Sequence, residues 1–215
     1  MRAPPAVTGI AARLLLGLAL FVGAGWLSGE LWISAIGTAE QEAMRQLAGD
    51  RIEMLVSIAR IVTWAGSVYV LVPLAVACCL WLLRAGMRRE ALALAAGLAG
   101  AIVISNSVKV LTDRPRPPVE HLQAVSGSSF PSGHSTQASA FWLALALALA
   151  SRPAVPQRSA RVALLGALLL ALAVAWSRVY LGVHFPSDVV AGLLLGAGWA
   201  VCVARLLYAS RQRGL

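Results

Sequence analysis

Three short polar stretches interrupt an apolar chain, and their residue types are those of phosphate chemistry. Lys109, the only lysine against seventeen arginines, opens KVLTDRPRP at 109–117. FPSGHS follows at 130–135 and SRVYLGVHFPSD at 177–188. Lys109, Arg116 and Arg178 offer three fixed cations, Arg178 as a planar fork that can clamp phosphate oxygens bidentately and Lys109 as a point charge. Ser132 and Gly133 stand where a helix begins, and free backbone N–H groups and the positive dipole end at such a place suit a phosphate. Gly133 lets the backbone come close to the anion, and Ser132 adds a hydroxyl.

Two histidines complete the chemistry. Pro186 suits the first turn of a helix, so Asp188 in that turn can reach back to the His184 imidazole. An aspartate on one ring nitrogen fixes the tautomer and leaves the other nitrogen free to attack phosphorus. His134 titrates near working pH and can protonate a leaving oxygen. Such a set positions a phosphoryl group and stabilises its equatorial charge without a metal, and the carboxylates are too few and scattered for a two-metal site. Asp113 and Arg114 are open to pairing with each other, Arg114 also to a place at the pocket rim, and neither is assigned to catalysis. His121, beside Glu120, reads as a residue of the surface or of the substrate's access route, not as a ligand.

The elements that must hold these residues are membrane helices. Hydrophobic residues make up 59% of the 215 positions and charged ones 13%, well below the roughly 25% of soluble domains. A single membrane-embedded domain, 1–215, is expected, all-α and polytopic. With ~20 apolar residues needed per span, six are predicted: 14–37, 55–83, 91–111, 134–151, 161–182 and 186–208. The first exceeds the usual core of a signal peptide and reads as a retained helix. Segment 38–54, with Glu40, Glu42, Asp50 and Glu53 against Arg45 and Arg51, reads as a short amphipathic helix on the outer surface.

Arginines set the orientation. Arg2 and Arg13, then Arg84, Arg88 and Arg89, then Arg152, Arg158 and Arg161, then Arg205, Arg211 and Arg213 all fall on one side of a six-span chain. Positive loops stay in the cytoplasm, so both termini are expected inside and all three polar stretches at the outer membrane–water interface. The net charge of +9 is spread over these gaps instead of forming one basic face, which argues against nucleic-acid binding. Cys78, Cys79 and Cys202 lie inside apolar runs without metal-ligand spacing and read as packing residues. Pro153 and Pro156 mark a loop.

The three stretches resemble the three-part signature of the type 2 phosphatidic acid phosphatase family, the lipid phosphate phosphatases. Its pattern is Lys, six residues, Arg-Pro; Pro-Ser-Gly-His; Ser-Arg, five residues, His, three residues, Asp. Lys109 to Arg116-Pro117, Pro131-Ser132-Gly133-His134, and Ser177-Arg178 to His184 to Asp188 match at every position. The resemblance implies that His184 forms a phosphohistidine, that Asp188 orients it, and that His134 is the acid for the leaving group. It further implies that Lys109, Arg116, Ser132, Gly133 and Arg178 bind the phosphate, with no metal or cofactor. Soluble acid phosphatases and vanadium haloperoxidases share the pocket, and the apolar spans disfavour both. The expected partner is a phosphorylated lipid in a bacterial inner membrane: undecaprenyl diphosphate, or a phosphatidyl-lipid phosphate such as phosphatidylglycerophosphate. A transporter or binder of such lipids, using the same cations without catalysis, is the competing class, and an assembly protein whose polar stretches only cap helices is a third.

Overall fold

The computed structural model describes residues 5–152 and 154–208, with side chains from residue 9 onward; Arg2, Pro153, Arg211 and Arg213 lie outside the described residues. The described chain is helical, without strands: α1 (Pro5–Gly49), α2 (Glu53–Val62), a 3-10 turn (Thr63–Gly66), α3 (Val68–Arg84), α4 (Arg88–Thr112), α5 (Gly133–Ala150), α6 (Gln157–Tyr180) and α7 (Pro186–Tyr208). Of these, α1, α4, α6 and α7 are long and apolar enough to cross a bilayer, and the bent α2–α3 pair makes up to five if counted as one span. Large apolar side chains such as Leu15, Leu20, Leu31, Leu165, Leu168 and Leu194 point outward, as they do in a helix bundle whose solvent is lipid. The chain is a multi-pass membrane protein.

The helices end where local chemistry demands. Asp113 closes α4 in the left-handed region (φ 40°), a conformation that short Asx side chains tolerate, and Pro115, Pro117 and Pro118 forbid its resumption. Ser132 caps α5, its Oγ accepting from the Ser135 N–H at 3.4 Å. Pro186 occupies the first position of α7.

Two expectations from the sequence need correction. Segment 38–54 is not a separate surface helix; through Gly49 it is the end of α1, which runs 45 residues and so about 67 Å at 1.5 Å per residue. No breaker stands between Ile36 and Gly49 except Gly37, and one glycine costs a helix only about 1 kcal/mol. The amphipathic helix is instead α2. Its Leu55, Val56 and Ala59 pack on Tyr180, Leu181 and Val183, while Met54, Ile58 and Ile61 are exposed. The predicted second span, 55–83, is thereby broken: α2 and its 3-10 turn meet α3 at a 44° bend. α5, which holds the predicted fourth span, is not among the helices long and apolar enough to cross a bilayer; its first turns, Gly133–Gln137, are polar or small.

α5 is central, packed between α4, α6 and α7. Its approach to α7 is backbone to backbone. A Cβ on Gly196 would sit 2.1 Å from the Thr136 carbonyl oxygen, and one on Gly192 would sit 2.7 Å from that of Ser132. Small residues permit such contact in membrane helices. Its result is a direct staple between two of the polar stretches, the Ser132 N–H donating to the Asp188 carbonyl at 2.9 Å.

Candidate active site

The C-terminal ends of α4 and α6, the N-terminal ends of α5 and α7, and the loop 113–132 meet at one end of the bundle and bring all eight predicted site residues together. Around His134 stand the charged or titratable groups of Arg178, His184, Lys109 and Arg116. A Cβ on Gly133 would lie 4.0 Å from Lys109 Cε, with nothing nearer than Gln137 at 3.6 Å. Gly133 thus lies in van der Waals reach of Lys109 and Gln137 without crowding.

One half of the site is a closed ionic network. Asp188 is 0% exposed, His184 3%, Arg114 4% and Glu40 6%, so every charge must find its partner inside. Asp188 Oδ1 takes Arg114 Nη1 at 2.6 Å. Its Oδ2 takes the Phe185 N–H at 2.8 Å, the Ser129 hydroxyl and, at 3.4 Å, His184 Nδ1. Arg114 Nη2 reaches Glu40 Oε2 at 2.8 Å, and Arg114 lies over the Phe185 ring at 4.1 Å. Glu40 also accepts the Ser187 N–H at 2.6 Å and the Ser187 hydroxyl at 2.7 Å.

The tautomer of His184 follows from its neighbours. Arg116 Nη1 stands 3.4 Å from His184 Nε2, and a guanidinium can only donate. Nε2 is therefore the lone-pair nitrogen, and Nδ1 carries the proton that faces Asp188. Burial pushes the His184 pKa down to about 3; Asp188 pulls it up, while Lys109 and Arg178 add to the depression. The ring is neutral at working pH, with its free nitrogen pointing toward the cations.

The other half is a set of cations held by neutral acceptors. Lys109 Nζ donates to the carbonyls of Ser128 at 2.6 Å and Ser129 at 3.5 Å. Arg116 donates to the carbonyls of Val183 at 2.7 Å, Ser126 at 2.9 Å and Gly127 at 3.1 Å. Burial lowers its pKa and Asp188 raises it; a guanidinium stays charged in any case. Arg178, 2% exposed, donates through Nη1 to Thr63 Oγ1 at 2.7 Å and to Gln123 Oε1. Its buried Nε has no partner among the described residues. None of these acceptors carries a charge, so a phosphate oxygen would be a stronger partner for each cation.

Several residues here escaped the sequence. Arg114 pairs with Asp188 and Glu40 and not with Asp113, which serves as the α4 stop. Glu40, Ser187, Ser129, Thr63 and Gln123 carried no signal of their own beyond being polar in an apolar chain. His121 is exposed, with Nε2 3.0 Å from the Pro117 carbonyl, as its reading supposed.

The model of the PAP2 superfamily matches residues 90–212, more than half of the chain. The protein belongs to the PAP2 superfamily. YbjG of Escherichia coli is 39% identical over 130 residues, 57% of this chain and 59% of that one. Phosphatidylglycerophosphatase B of Bacillus subtilis is 35% identical over 94 residues, 44% of this chain and 46% of that one. The chain thus spans about half the length of the curated relatives it matches. A solved transmembrane PAP2-type phosphatidylglycerolphosphate phosphatase of Bacillus subtilis has the same fold, with a TM-score of 0.75, 24% identity, and coverage of 94% of this chain and 96% of that one. Glu40 lies outside the family-matched segment.

Proposed function

We propose that this PAP2 protein hydrolyses a phosphate ester or diphosphate on a membrane lipid, through a phosphohistidine on His184 and without a metal. The observation that carries the reading is the placing of His184, its Nε2 3.4 Å from Arg116 Nη1 and its Nδ1 3.4 Å from Asp188 Oδ2, at the edge of a cradle of three cations. Nε2 attacks phosphorus and the bond to the leaving oxygen breaks; the proton that enters with the phosphate monoanion passes through His134 to that oxygen. Water then attacks phosphorus and loses its proton to His134; the P–N bond breaks, freeing inorganic phosphate. Lys109, Arg116, Arg178, Ser132 and the Gly133 backbone hold the equatorial oxygens. Before attack, Arg116 must turn from Nε2 to a phosphate oxygen, which frees the nucleophile as the substrate binds.

The reading includes six membrane crossings, with α3, beyond the bend from α2, as one span and α5 as another. The arginine-bearing gaps and both termini lie in the cytoplasm and the site at the outer face of the inner membrane. α2, with its exposed Met54, Ile58 and Ile61, rests in that outer interface, so a headgroup can enter the site while the lipid chains remain in the bilayer. An outward site suits the recycling of undecaprenyl diphosphate, and YbjG carries an undecaprenyl-diphosphatase name; phosphatidylglycerophosphate is the alternative substrate, as in the name of the Bacillus relative. The test is phosphate release by detergent-purified protein from a panel of lipid phosphates, with chelator present, and kcat/KM for each lipid. Release that persists in chelator and vanishes in His184→Ala is expected. No release from any lipid, or lipid transport that survives His184→Ala, would replace hydrolysis with transport.

A further inference from the structure

We infer that Glu40 of α1, acting through Arg114 and Ser187, is a positioning residue for the nucleophile. It fixes the Asp188 carboxylate from a helix outside the family-matched segment. The chain of contacts is short and buried throughout. Glu40 Oε2 holds Arg114 Nη2 at 2.8 Å and the Ser187 hydroxyl at 2.7 Å, and Arg114 Nη1 holds Ser187 Oγ at 2.7 Å and Asp188 Oδ1 at 2.6 Å. Glu40 Oε1 takes the Ser187 N–H at 2.6 Å, one of the free donors at the start of α7, and so pins the turn that carries Asp188.

Charge gives the arrangement its purpose. Arg114 alone would neutralise Asp188 and weaken its hold on a cationic imidazole. With Glu40 added, two carboxylates face one guanidinium, and the buried cluster keeps one net negative charge. Phosphoryl transfer places positive charge on the His184 ring, and that charge then meets a compensating negative one fixed in advance. Glu40 touches neither substrate nor His184, so its effect should appear in turnover and not in substrate binding.

The inference rests on the hydrolytic reading, so its experiment has one arm that needs no turnover. In the 1–215 chain in detergent, Glu40→Gln and Ser187→Ala are compared with wild type in phosphate release from undecaprenyl diphosphate and from phosphatidylglycerophosphate in mixed micelles. The same samples give the 15N imidazole resonances of His184, assigned with His184→Gln. Glu40→Gln should lower kcat at least about tenfold, as losses of histidine orientation do, with KM within about twofold. Glu40→Asp should recover part of the loss, and the effect should vanish in an Asp188→Asn background. The His184 resonances should move away from the Nδ1–H tautomer. Ser187→Ala removes a hydroxyl and no charge; it should shift both readouts less, and it decides the matter if Glu40→Gln does not fold. Wild-type kcat with unmoved resonances in the folded variant overturns the inference, as does an equal loss with and without Asp188. If wild type releases no phosphate, hydrolysis is the reading that fails, and the resonances alone decide: a shift supports the positioning role and no shift overturns it.

Discussion

The two halves of the site are built on opposite terms. Around Asp188, charges answer charges: Arg114 between two carboxylates, every member buried. Around Lys109, Arg116 and Arg178, cations lean on carbonyls, a hydroxyl and an amide. Ionic partners hold geometry firmly in a low dielectric, while neutral acceptors yield to a better anion. On the proposed reading, the nucleophile is thus set before substrate arrives, and the cradle would exchange its loop partners for phosphate oxygens as substrate enters.

Four changes would break or sharpen this contrast, in falling order of effect. His184→Ala should abolish phosphate release and leave binding of the lipid phosphate intact, as equilibrium binding of a labelled lipid would show. Arg114→Met leaves Glu40 and Asp188 buried without their cation, and breaking such a buried pair costs about 3–5 kcal/mol; a lower Tm and lost activity together are expected. If instead the variant has wild-type Tm, the network is not a fixed frame. Lys109→Arg keeps the charge but not its shape, and should lower kcat/KM about tenfold, since the two cations differ in hydration and fork geometry. Wild-type kcat/KM would show that any cation serves. Gln123→Ala removes the amide that shares Arg178, and should lower KM about threefold with kcat unchanged, the scale of one neutral hydrogen bond.

Acid should strain the fixed half. The folded His184 pKa of about 3 lies below the ordinary 6.5, so between these values the unfolded chain holds a proton that the folded one does not. Stability therefore falls as pH drops from 6.5, by up to about 1.4 kcal/mol per pH unit from this group. Tm against pH should fall less steeply in His184→Asn than in wild type; parallel curves would mean that the ring is not held neutral.

The cradle was far more legible in the sequence than the frame behind it. Lys109, His134 and His184 are rare polar types, Arg116 and Arg178 stand near them in short polar breaks of an apolar chain, and helix-start chemistry at Ser132 and Pro186 tells where helices begin. Glu40 gives no such sign, because its meaning lies in a partner 147 positions away at Ser187. It sits among Glu42, Arg45 and Asp50, and the 3.4 Å Arg45–Glu42 pair is exposed, so the segment reads as a surface helix when only its neighbours are weighed. Arg114 was hidden for the same reason: adjacent Asp113 offers a local partner, and only the fold shows that the guanidinium turns to Asp188. The break in the 55–83 run also lay beyond composition, since Thr63–Gly66 is apolar enough to continue a span.

Glu40 lies in α1 and Ser187–Asp188 in α7, so the carboxylate is made well before the turn that it pins. A carboxylate in α1 must wait, solvated or badly placed, until α7 is inserted and Arg114 can close between them. On the proposed reading, the orientation of His184 is therefore set only once α7 is in place. On that reading, a chain cut before α7 would keep the cradle residues and His184 but lack the Asp188 that orients the ring, which would tie the onset of activity to the insertion of α7.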